Sequence, residues 1–575
     1  MGHMMKSKFF DEVGAVPHDD YYPRPQLERS SFYNLNGTWE YAIYPSDQPF
    51  QGYQGNILVP FSPEALLSGV GKIVTPTDTL YYRRNFVIEE DFLKDKTLLH
   101  FGAVDYECEV FLNHLKVGYH QGGFFAFTLD ISKAIQLGNN IIELIVKDPS
   151  DTSYHARGKQ SSSPAGIFYT PQSGIWQTVW MESVPENYVE DLRIVPDIDQ
   201  NEVRITVETN ALEVTVKVLD EGSCIAEGKG QKEIVIPLEQ YECWSPENPK
   251  LYNLEITADQ DTVKSYFGMR KFGVGPDANG KQRLLLNNKP YFHNGVLDQG
   301  YWSDGMLTPP TKSAMEYDIH MLKSMGFNMI RKHIKIEPLY WYYLCDKEGM
   351  LVWQDMVNGG TTYNPLVIAV LPFLTVNLDD GEKNYKIFGR ADEAGRNEYV
   401  KDLYDTMHQL INVVSLAMWV PFNEGWGQFD ANKISEMVAE YDPTRTIDRT
   451  SGWHDQKKSD FVTRHIYFTP VYVPKDDRCY LLDEFGGFSK MTKGHMFRKL
   501  LFGYRMYFTD EALMRAYEKI FEKRIIRNIP KGLSATVFTQ VSDVEGEING
   551  LITYDRKVEK LDRARVKAVN DRVKL

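Results

Sequence analysis

The chain has 575 residues, about four times the ~150 residues of a typical domain, so we expect several domains. Apolar residues make up 42% and charged residues 25%, a composition that excludes a largely disordered chain. The net charge of −15 argues against a nucleic-acid scaffold or an anionic-membrane binder, because both need basic surfaces. Aromatic residues reach 13%, which is typical of β-rich packing and of sites that stack on flat ligands.

Cysteine usage and the absence of targeting patterns indicate a cytoplasmic protein. The five cysteines are an odd number without a C-x-x-C pair, so the sequence suggests neither a disulfide framework nor a zinc knuckle. It contains no secretory signal pattern, and no apolar run approaches the ~20 residues of a membrane helix. We therefore expect a cytoplasmic protein that binds neither nucleic acid nor membrane. The sequence leaves open whether the protein forms a homo-oligomer.

The first half of the chain predicts two β-sandwiches. Residues 32–185 contain short alternating strands, such as 38–43, separated by glycine and proline, which is typical of a jelly roll. Residues 189–273 continue with further alternating strands, such as 203–207. Their combined length fits an immunoglobulin-like sandwich.

After residue 284 the pattern changes to strands that alternate with helices. The amphipathic stretches 313–325 and 338–348 predict helices, and the apolar run 327–330 predicts a strand between them. This alternation over about 300 residues fits a (β/α)8 TIM barrel better than a smaller open sheet. Residues 356–395 interrupt it with glycine and proline and predict a long loop at the catalytic face. The predicted domains are a jelly roll at 1–187, an immunoglobulin-like sandwich at 188–273 and a (β/α)8 barrel at 274–575.

Two glutamates follow predicted barrel strands. Glu424 closes the run 416–424, and Glu484 closes the run 480–484. Catalytic groups of such barrels lie at the carboxyl ends of strands, although a charged residue there is equally well explained as a helix cap. Two carboxylates at the ends of different strands favour glycoside hydrolysis, because that reaction needs a pair of carboxyl groups facing one bond.

The residues around both glutamates carry a family resemblance. Asn-Glu-Gly-Trp at 423–426 and Asp-Glu-Phe-Gly-Gly at 483–487 resemble glycoside hydrolase family 2, the family of β-galactosidases, β-glucuronidases and β-mannosidases. Further resembling segments follow in order along the chain, at 33–39, 81–84, 101–106, 110–113, 174–180, 244–252 and 326–331. The resemblance implies an exo-acting hydrolase that retains the anomeric configuration of a terminal β-linked sugar. We expect no cofactor and no metal, because no His, Asp or Glu cluster has recognisable ligand spacing.

The resemblance also implies roles for four side chains. Glu424 would be the general acid/base and Glu484 the nucleophile of a double displacement, with their carboxyl groups ~5–5.5 Å apart. The ionised nucleophile would raise the pKa of Glu424 and keep it protonated. Asn423 would bind the sugar 2-hydroxyl, and Tyr467 would orient the nucleophile. The structural alternatives are a strand-end cap for Asn423 and a barrel-core tyrosine with a satisfied hydroxyl for Tyr467.

Three basic side chains on the faces of predicted strands are further candidates. Arg331 and His333 lie on one face at the end of the predicted second strand, and His465 shares a face with Tyr467. Arg331 is a candidate to hold Glu484 through a charge-assisted hydrogen bond. His333 and His465 are candidate sugar contacts. The alternatives are a structural ion pair for Arg331 and satisfied core positions for the histidines.

Four more residues are candidate substrate contacts. Trp426 and Trp453 lie in predicted loops and are candidates to stack on a sugar ring, with ordinary packing as the alternative. Asp298 follows the predicted first strand and is a candidate to bind a sugar hydroxyl, with turn capping as the alternative. Gln540 stands where many relatives have tryptophan and is therefore a candidate sugar contact.

The sequence leaves several sugars open. The Asn-x-Lys pair that the β-glucuronidases use for a carboxylate is not found after Glu484, since Asn528 and Lys531 have a different spacing. Nothing marks mannosidase specificity, so a β-galactoside, pyranose or furanose, is the leading prediction. The alternatives are a retaining β-glycosidase of β-glucuronidase, β-mannosidase or β-glucosidase type, and a non-catalytic carbohydrate-binding protein.

Overall fold

The computed structural model describes residues 5–374 and 376–575 and contains two β-sandwiches followed by a parallel eight-stranded barrel domain. This is the fold class that the sequence predicted. Each sandwich encloses its own hydrophobic core. A third core packs the barrel strands against the surrounding helices, and a fourth gathers the alternate side chains of the strands. Within the described residues, no helix is long and apolar enough to cross a bilayer.

The jelly roll is built from a four-stranded and a six-stranded antiparallel sheet. Alternation sends every second side chain inward, so that Ile142, Leu144 and Val146 of one strand are all buried in the core. The first sheet contains Tyr33–Asn34, Val179–Val184, Lys96–Phe101 and Phe127–Asp130. The second contains Gly55–Val59, Gly37–Pro45, Asp78–Ile88, Gly138–Lys147, Glu107–Leu112 and Leu115–Gln121. A separate short pair joins Val104–Asp105 to Gly174–Ile175.

The immunoglobulin-like sandwich packs a three-stranded sheet against a four-stranded sheet. Valine and isoleucine alternate along its strands, as at Val203, Ile205 and Val207, and form the shared core. The first sheet contains Asp191–Asp197, Glu202–Glu208 and Glu233–Pro237. The second contains Ser223–Gly230, Val214–Asp220, Tyr252–Ala258 and Asp261–Phe267.

The barrel strands pair in parallel, in the order β5-β4-β3-β2-β1-β8-β7-β6. The two outer strands, β5 and β6, are not paired with each other among the described residues. The strands are β1 (His293–Asp298), β2 (Met329–Lys332), β3 (Leu351–Asp355), β4 (Leu416–Val420), β5 (Thr446–Ile447), β6 (Phe461–Ile466), β7 (Cys479–Gly486) and β8 (Leu533–Thr539).

The helices match the predicted alternation in part. The two predicted helices begin and end within one residue of α1 and α2, and Thr311 caps α1 by accepting a hydrogen bond from the Ala314 amide. In the described chain no α-helix separates β5 from β6 or β6 from β7, which departs from a regular eightfold repeat. The helices are α1 (Lys312–Ser324), α2 (Leu339–Glu348), α3 (Pro365–Ala369), α4 (Glu393–Leu410), α5 (Ala431–Tyr441), α6 (Asp510–Ile520) and α7 (Arg563–Asn570).

Segments from outside the barrel cover both of its ends. A small sheet covers the amino end of the strands and consists of Phe272–Pro276, Gln282–Leu286 and Lys289–Pro290. Arg283 of this sheet donates hydrogen bonds to the carbonyl oxygens of Ile529 and Leu533. At the carboxyl end, residues 148–173 of the jelly roll reach the barrel. The amides of Arg157 and Gly158 both donate to the Asn358 carbonyl oxygen at 3.0 Å. The jelly roll therefore forms part of the wall around the mouth of the barrel.

Candidate active site

Glu484 lies inside β7 and is held by two donors. Its Oε1 accepts from Arg331 Nη1 at 3.3 Å, and its Oε2 accepts from the Tyr467 hydroxyl. Burial alone would raise the pKa of this carboxyl group, but the positive charges of His465 and Arg331 hold the pKa of Glu484 below its usual range. Glu484 is therefore an ionised carboxylate at neutral pH.

Glu424 lies beyond the end of β4 rather than within the strand that the sequence predicted. The strand stops at Val420, and Glu424 adopts the left-handed conformation with φ 51°. Gly425 follows with φ 72°, a turn that suits glycine. The Glu424 amide donates to the Ser451 carbonyl oxygen at 3.0 Å and helps to hold this strained backbone. Burial raises the pKa of Glu424, which favours its protonated form.

The two glutamates meet at one point. One carboxylate oxygen of Glu424, one of Glu484 and one ring nitrogen of His465 all lie within 4.8 Å of one another. This spacing fits the ~5–5.5 Å of retaining glycosidases and is shorter than the ~6.5–9.5 Å of inverting ones. The same three atoms are close enough together to hold a metal ion, so the expected absence of a metal stays a prediction.

The structure places His465 against both catalytic carboxylates, and the sugar contact predicted for it stays a prediction. Its side chain has no exposed area, and its Nδ1 lies 2.6 Å from Glu424 Oε1 and 3.6 Å from Glu484 Oε2. Its Nε2 lies 3.1 Å from Ser451 Oγ and 3.3 Å from Asp483 Oδ2. Burial alone would lower the pKa of His465, but Glu484 and Asp483 raise it well above its usual range. The ring is therefore an imidazolium that donates to Glu424 from Nδ1.

Arg331 and Asn423 form a buried pair beside the nucleophile. Arg331 is fully buried and donates to Asp355 at 2.9 and 3.1 Å, and its Nη2 also donates to Asn423 Oδ1 at 2.8 Å. Asn423 Nδ2 is buried and has no hydrogen-bond partner among the described residues. An unpaired buried donor is costly, so this amide is available for a ligand oxygen.

His333 also contacts Asp355, and Trp426 lies next to His333. His333 Nδ1 lies 2.6 Å from Asp355 Oδ2, and burial lowers the pKa of His333 well below its usual range. The ring is therefore neutral, with Nδ1–H donating to Asp355 and Nε2 left as an acceptor. The Trp426 ring lies 6.3 Å from the His333 ring, so both predicted sugar contacts stand next to the catalytic pair.

Two predicted sugar contacts are already occupied by protein groups. Asp298 accepts from Lys332 Nζ at 2.5 Å and from the Gly300 amide at 2.9 Å. Gln540 accepts from Gln299 Nε2 at 2.9 Å and donates to Asn549 Oδ1 at 2.8 Å. Asp298 thus caps the turn at Gly300, which was its structural alternative, and Gln540 joins two neighbouring amides. Direct sugar contacts by these two residues stay predictions.

The remaining predicted contact, Trp453, lies beside the site. It is only partly buried, and its ring centroid is 6.1 Å from that of His465. Sugar stacking on Trp453 therefore stays a prediction. Tyr504 was not predicted at all, yet its ring stacks on Tyr467 with centroids 3.8 Å apart. Tyr504 belongs to a loop without a periodic pattern, so nothing in the sequence identified it.

Lys159, which the jelly roll contributes, was not predicted from the sequence either. Its Nζ lies 5.5 Å from the Trp426 ring centroid and 5.8 Å from the Tyr169 ring centroid. Lys159 belongs to the segment 148–173 that covers the mouth of the barrel. No local signal separates this lysine from the other lysines of the chain, because its position depends on how two domains pack.

Comparison with known proteins identifies the three domains. Residues 43–185 match the sugar binding domain of glycosyl hydrolases family 2, residues 187–270 match a second domain of that family, and residues 279–484 match its TIM barrel domain. The matched segments follow the order of the two sandwiches and the barrel.

Individual relatives are distant. The chain is 26% identical over 375 residues to a putative beta-glucuronidase of Formosa agariphila, covering 57% of this chain and 43% of that protein. It is 26% identical over 381 residues to a beta-galactosidase of Pseudoalteromonas haloplanktis, covering 60% of this chain and 34% of that protein. The chain thus spans less than half the length of these two curated relatives.

The fold is shared with a solved structure along nearly its whole length. The beta-D-glucuronidase of Dictyoglomus thermophilum superimposes with a TM-score of 0.73 at 19% sequence identity, covering 96% of this chain and 98% of that one. At this identity the likeness concerns the fold alone.

Proposed function

Because the chain belongs to glycosyl hydrolases family 2, we propose that it is an exo-acting, retaining β-glycosidase with Glu484 as nucleophile and Glu424 as general acid/base. The observation that carries this proposal is the carboxyl pair within 4.8 Å, in which the pKa of one member is lowered and that of the other is raised. Such a pair provides one ionised and one protonated carboxyl group at the same pH.

In the first step, the ionised Glu484 attacks the anomeric carbon of the terminal sugar. The bond to the leaving oxygen breaks as Glu424 donates its proton to that oxygen, and a covalent glycosyl-enzyme forms. Tyr467 and Arg331 donate to the two oxygens of Glu484 and fix the attacking carboxylate. The unpaired amide of Asn423 donates to the sugar 2-hydroxyl, a contact that strengthens in the oxocarbenium-like transition state.

In the second step, water replaces the leaving group. The negative charge of Glu484 is lost in the ester, so the pKa of Glu424 falls and its carboxylate can accept a proton from water. The resulting hydroxide-like oxygen attacks the anomeric carbon and releases Glu484. Two displacements at the same carbon return the β configuration. His465 remains hydrogen-bonded to Glu424 at 2.6 Å and holds it in place between the two steps.

The identity of the terminal sugar is a further part of this proposal. The sequence favours a sugar of galacto configuration, in pyranose or furanose form. The names of the relatives divide between beta-galactosidases and beta-glucuronidases.

A panel of aryl β-glycosides that varies the sugar, ring size and anomer tests the proposal. We expect cleavage of a β-glycoside with initial release of the β-sugar, seen by NMR. Release of the α-sugar first, or cleavage of α-glycosides only, would refute the retaining β mechanism.

A further inference from the structure

Lys159 is a buried cation without a counter-ion in the wall of the active site. Only 6% of this residue is exposed. Its Nζ makes no hydrogen bond and no ion pair with any residue in the ranges 5–374 and 376–575; its recorded contacts are the two aromatic faces of Trp426 and Tyr169. Lysine is rarely this buried unless its charge is paired. The ammonium group itself keeps contact with solvent, so it is open to a ligand anion.

The other buried cations nearby all have partners. Arg157, two positions before Lys159, donates to main-chain carbonyl oxygens of the barrel loop. Lys332 pairs with Asp298 at 2.5 Å and with Glu337 at 2.7 Å, and Lys335 pairs with Glu337 at 2.8 Å. The lack of a partner is therefore specific to Lys159 and is not a general feature of this wall.

The cation is held in place by its loop. Gln160 donates to Asp105 Oδ2 at 3.0 Å, and the Lys159 carbonyl oxygen accepts from the Tyr169 amide at 2.9 Å. Gly158 has φ 61°, and a Cβ atom at this position would lie only 3.0 Å from the Ile334 carbonyl oxygen. The loop thus lies directly against the barrel, and the ammonium group is positioned before a ligand arrives.

The charge of Lys159 acts on the catalytic acid. Burial raises the pKa of Glu424, His465 lowers it, and Lys159 lowers it by a smaller amount. An unpaired ammonium here favours the ionised form of Glu424, which cannot donate a proton to the leaving group. A ligand anion paired with Lys159 would cancel this effect and would also supply the missing counter-ion.

Asn528 and Lys531 do not supply this cation. They lie just before β8 begins at Leu533, at the end of the barrel opposite the catalytic pair. Asn528 Nδ2 there donates to the Arg524 carbonyl oxygen at 2.7 Å. Neither residue can reach the sugar that Glu484 attacks.

We propose that Lys159 binds a carboxylate of the terminal sugar, so that the substrates are β-linked uronides. This inference rests on the retaining glycosidase function proposed above and specifies its sugar, with a carboxylate in place of the neutral C6 group of a galactoside. Specificity for the acidic group would then come from the jelly roll, while the chemistry comes from the barrel.

Turnover gives the first test. The wild-type protein is assayed with 4-nitrophenyl β-galacturonide, β-glucuronide, β-galactopyranoside, β-glucopyranoside and β-galactofuranoside. At least one uronide should be hydrolysed with a kcat/KM about 10- to 100-fold above its neutral counterpart, the range of one charge-assisted hydrogen bond. Higher kcat/KM for every neutral sugar would overturn the role of Lys159 while leaving the retaining glycosidase proposal intact.

Variants separate recognition from folding. Lys159→Met and Lys159→Gln should each lose about 10- to 100-fold in kcat/KM on the uronide, chiefly through KM. The value of kcat/KM on neutral sugars should not fall, because the charge that is removed lowers the pKa of Glu424. Lys159→Arg should retain more of the preference, because it keeps the charge. Lys116→Met, at a half-exposed lysine of the same domain, is the matched control and should behave as wild type. Equal losses on acidic and neutral sugars would refute the inference.

Binding gives a readout that does not depend on turnover. Calorimetry with free D-galacturonate, D-glucuronate and D-galactose should show tighter binding of one uronate to the wild-type protein. Lys159→Met should abolish this difference, and unchanged melting temperatures would show that the variant is folded. If uronate binds but no glycoside is cleaved, the inference about Lys159 stands and the proposed hydrolase function fails. If neither uronate binds better than galactose, the inference itself fails.

Discussion

His465 Nδ1 lies 2.6 Å from Glu424 Oε1, inside the protein and out of contact with solvent. A hydrogen bond from the imidazolium to Oε1 leaves the other oxygen, Oε2, to carry the acidic proton toward the leaving group. The same ring lies 3.6 Å from Glu484 Oε2 and stabilises the negative charge of the nucleophile. One buried cation thus connects the acid/base to the nucleophile.

This connection predicts the pH dependence of the enzyme. The value of kcat/KM should rise with pH as Glu484 ionises, and should fall at higher pH as Glu424 loses its proton. In His465→Asn the cation is removed, so the pKa values of both glutamates should rise and both limbs of the profile should move to higher pH. A shift of one pKa unit lowers kcat/KM tenfold on the acid limb. The comparison uses pH profiles on one aryl substrate.

His320→Asn is the control for that experiment, since this histidine is about half exposed on the outside of the barrel domain. Its profile should coincide with that of the wild-type protein. If the pH profile of His465→Asn also coincides with the wild-type profile, the His465 ring does not set the charge of either glutamate.

Removal of the nucleophile should abolish turnover. Glu484→Gln keeps the shape of the side chain but cannot form the glycosyl-enzyme, so kcat should fall by about 10⁴-fold or more. Glu186→Gln, at an exposed glutamate of the first domain, should keep full activity. Rates are measured on the best aryl glycoside, together with melting temperatures. Full turnover by a folded Glu484→Gln protein would refute the assignment of the nucleophile.

Removal of the acid/base should have an effect that depends on the leaving group. Glu424→Ala should lower kcat/KM by about 10²- to 10⁴-fold for a phenyl glycoside, but much less for a dinitrophenyl glycoside, which needs no protonation. Deglycosylation then limits the rate, and added azide should restore turnover and yield the β-glycosyl azide. Equal losses for both leaving groups, without azide rescue, would contradict the acid/base role.

The unpaired amide of Asn423 predicts a transition-state contact. Asn423→Ala should lower kcat by about 10²-fold on the parent glycoside, in the range of other single donors to a developing charge. On the 2-deoxy glycoside the same substitution should cost far less, because the partner hydroxyl is absent. Kinetics of both proteins on both substrates form a double-mutant cycle. If kcat falls equally on the two substrates, Asn423 acts through folding or through Arg331, and not through a hydrogen bond to the 2-hydroxyl.

A buried ion pair behind β4 predicts a pH-dependent stability. Asp442 lies 2.7 Å from Arg445 Nη1 and accepts from Trp419 Nε1 at 2.8 Å. Burial alone would raise the pKa of Asp442, but Arg445 holds it well below its usual range. Asp442→Asn leaves a buried arginine unpaired and should cost about 3–5 kcal/mol near neutral pH, measured from urea unfolding followed by circular dichroism.

The sign of the pH effect follows from the lowered pKa. The stabilisation by Asp442 is present above the pKa of ~3.9 in the unfolded chain and is lost as the pH falls below it. The difference in the free energy of unfolding between wild type and Asp442→Asn should therefore become smaller below about pH 4. Asp571→Asn removes an exposed pair on α7 and should change stability by less than ~0.5 kcal/mol at any pH. If the difference between wild type and Asp442→Asn does not change with pH, Asp442 is not an ionised partner of Arg445.

The sequence by itself determined the architecture and the two carboxylates. Period-two alternation identified the sandwiches, and the change to strand–helix alternation identified the barrel, because both patterns reflect which faces of a single element are buried. The runs that end at Glu424 and Glu484 could be recognised locally for the same reason. The strand boundary at Glu424 was less accurate, since the left-handed turn after Val420 depends on a hydrogen bond to Ser451.

Only the tertiary structure decided what each polar side chain contacts. Asp298 and Gln540 stand at strand ends as predicted, and only the folded chain shows that their partners are Lys332 and Asn549. His465 is a cation between carboxylates because β4, β6 and β7 bring those charges to one point. Lys159 reaches the ring of Trp426 from another domain. Charge pairing and desolvation depend on distances between elements far apart in the chain, and no local pattern of residues encodes those distances.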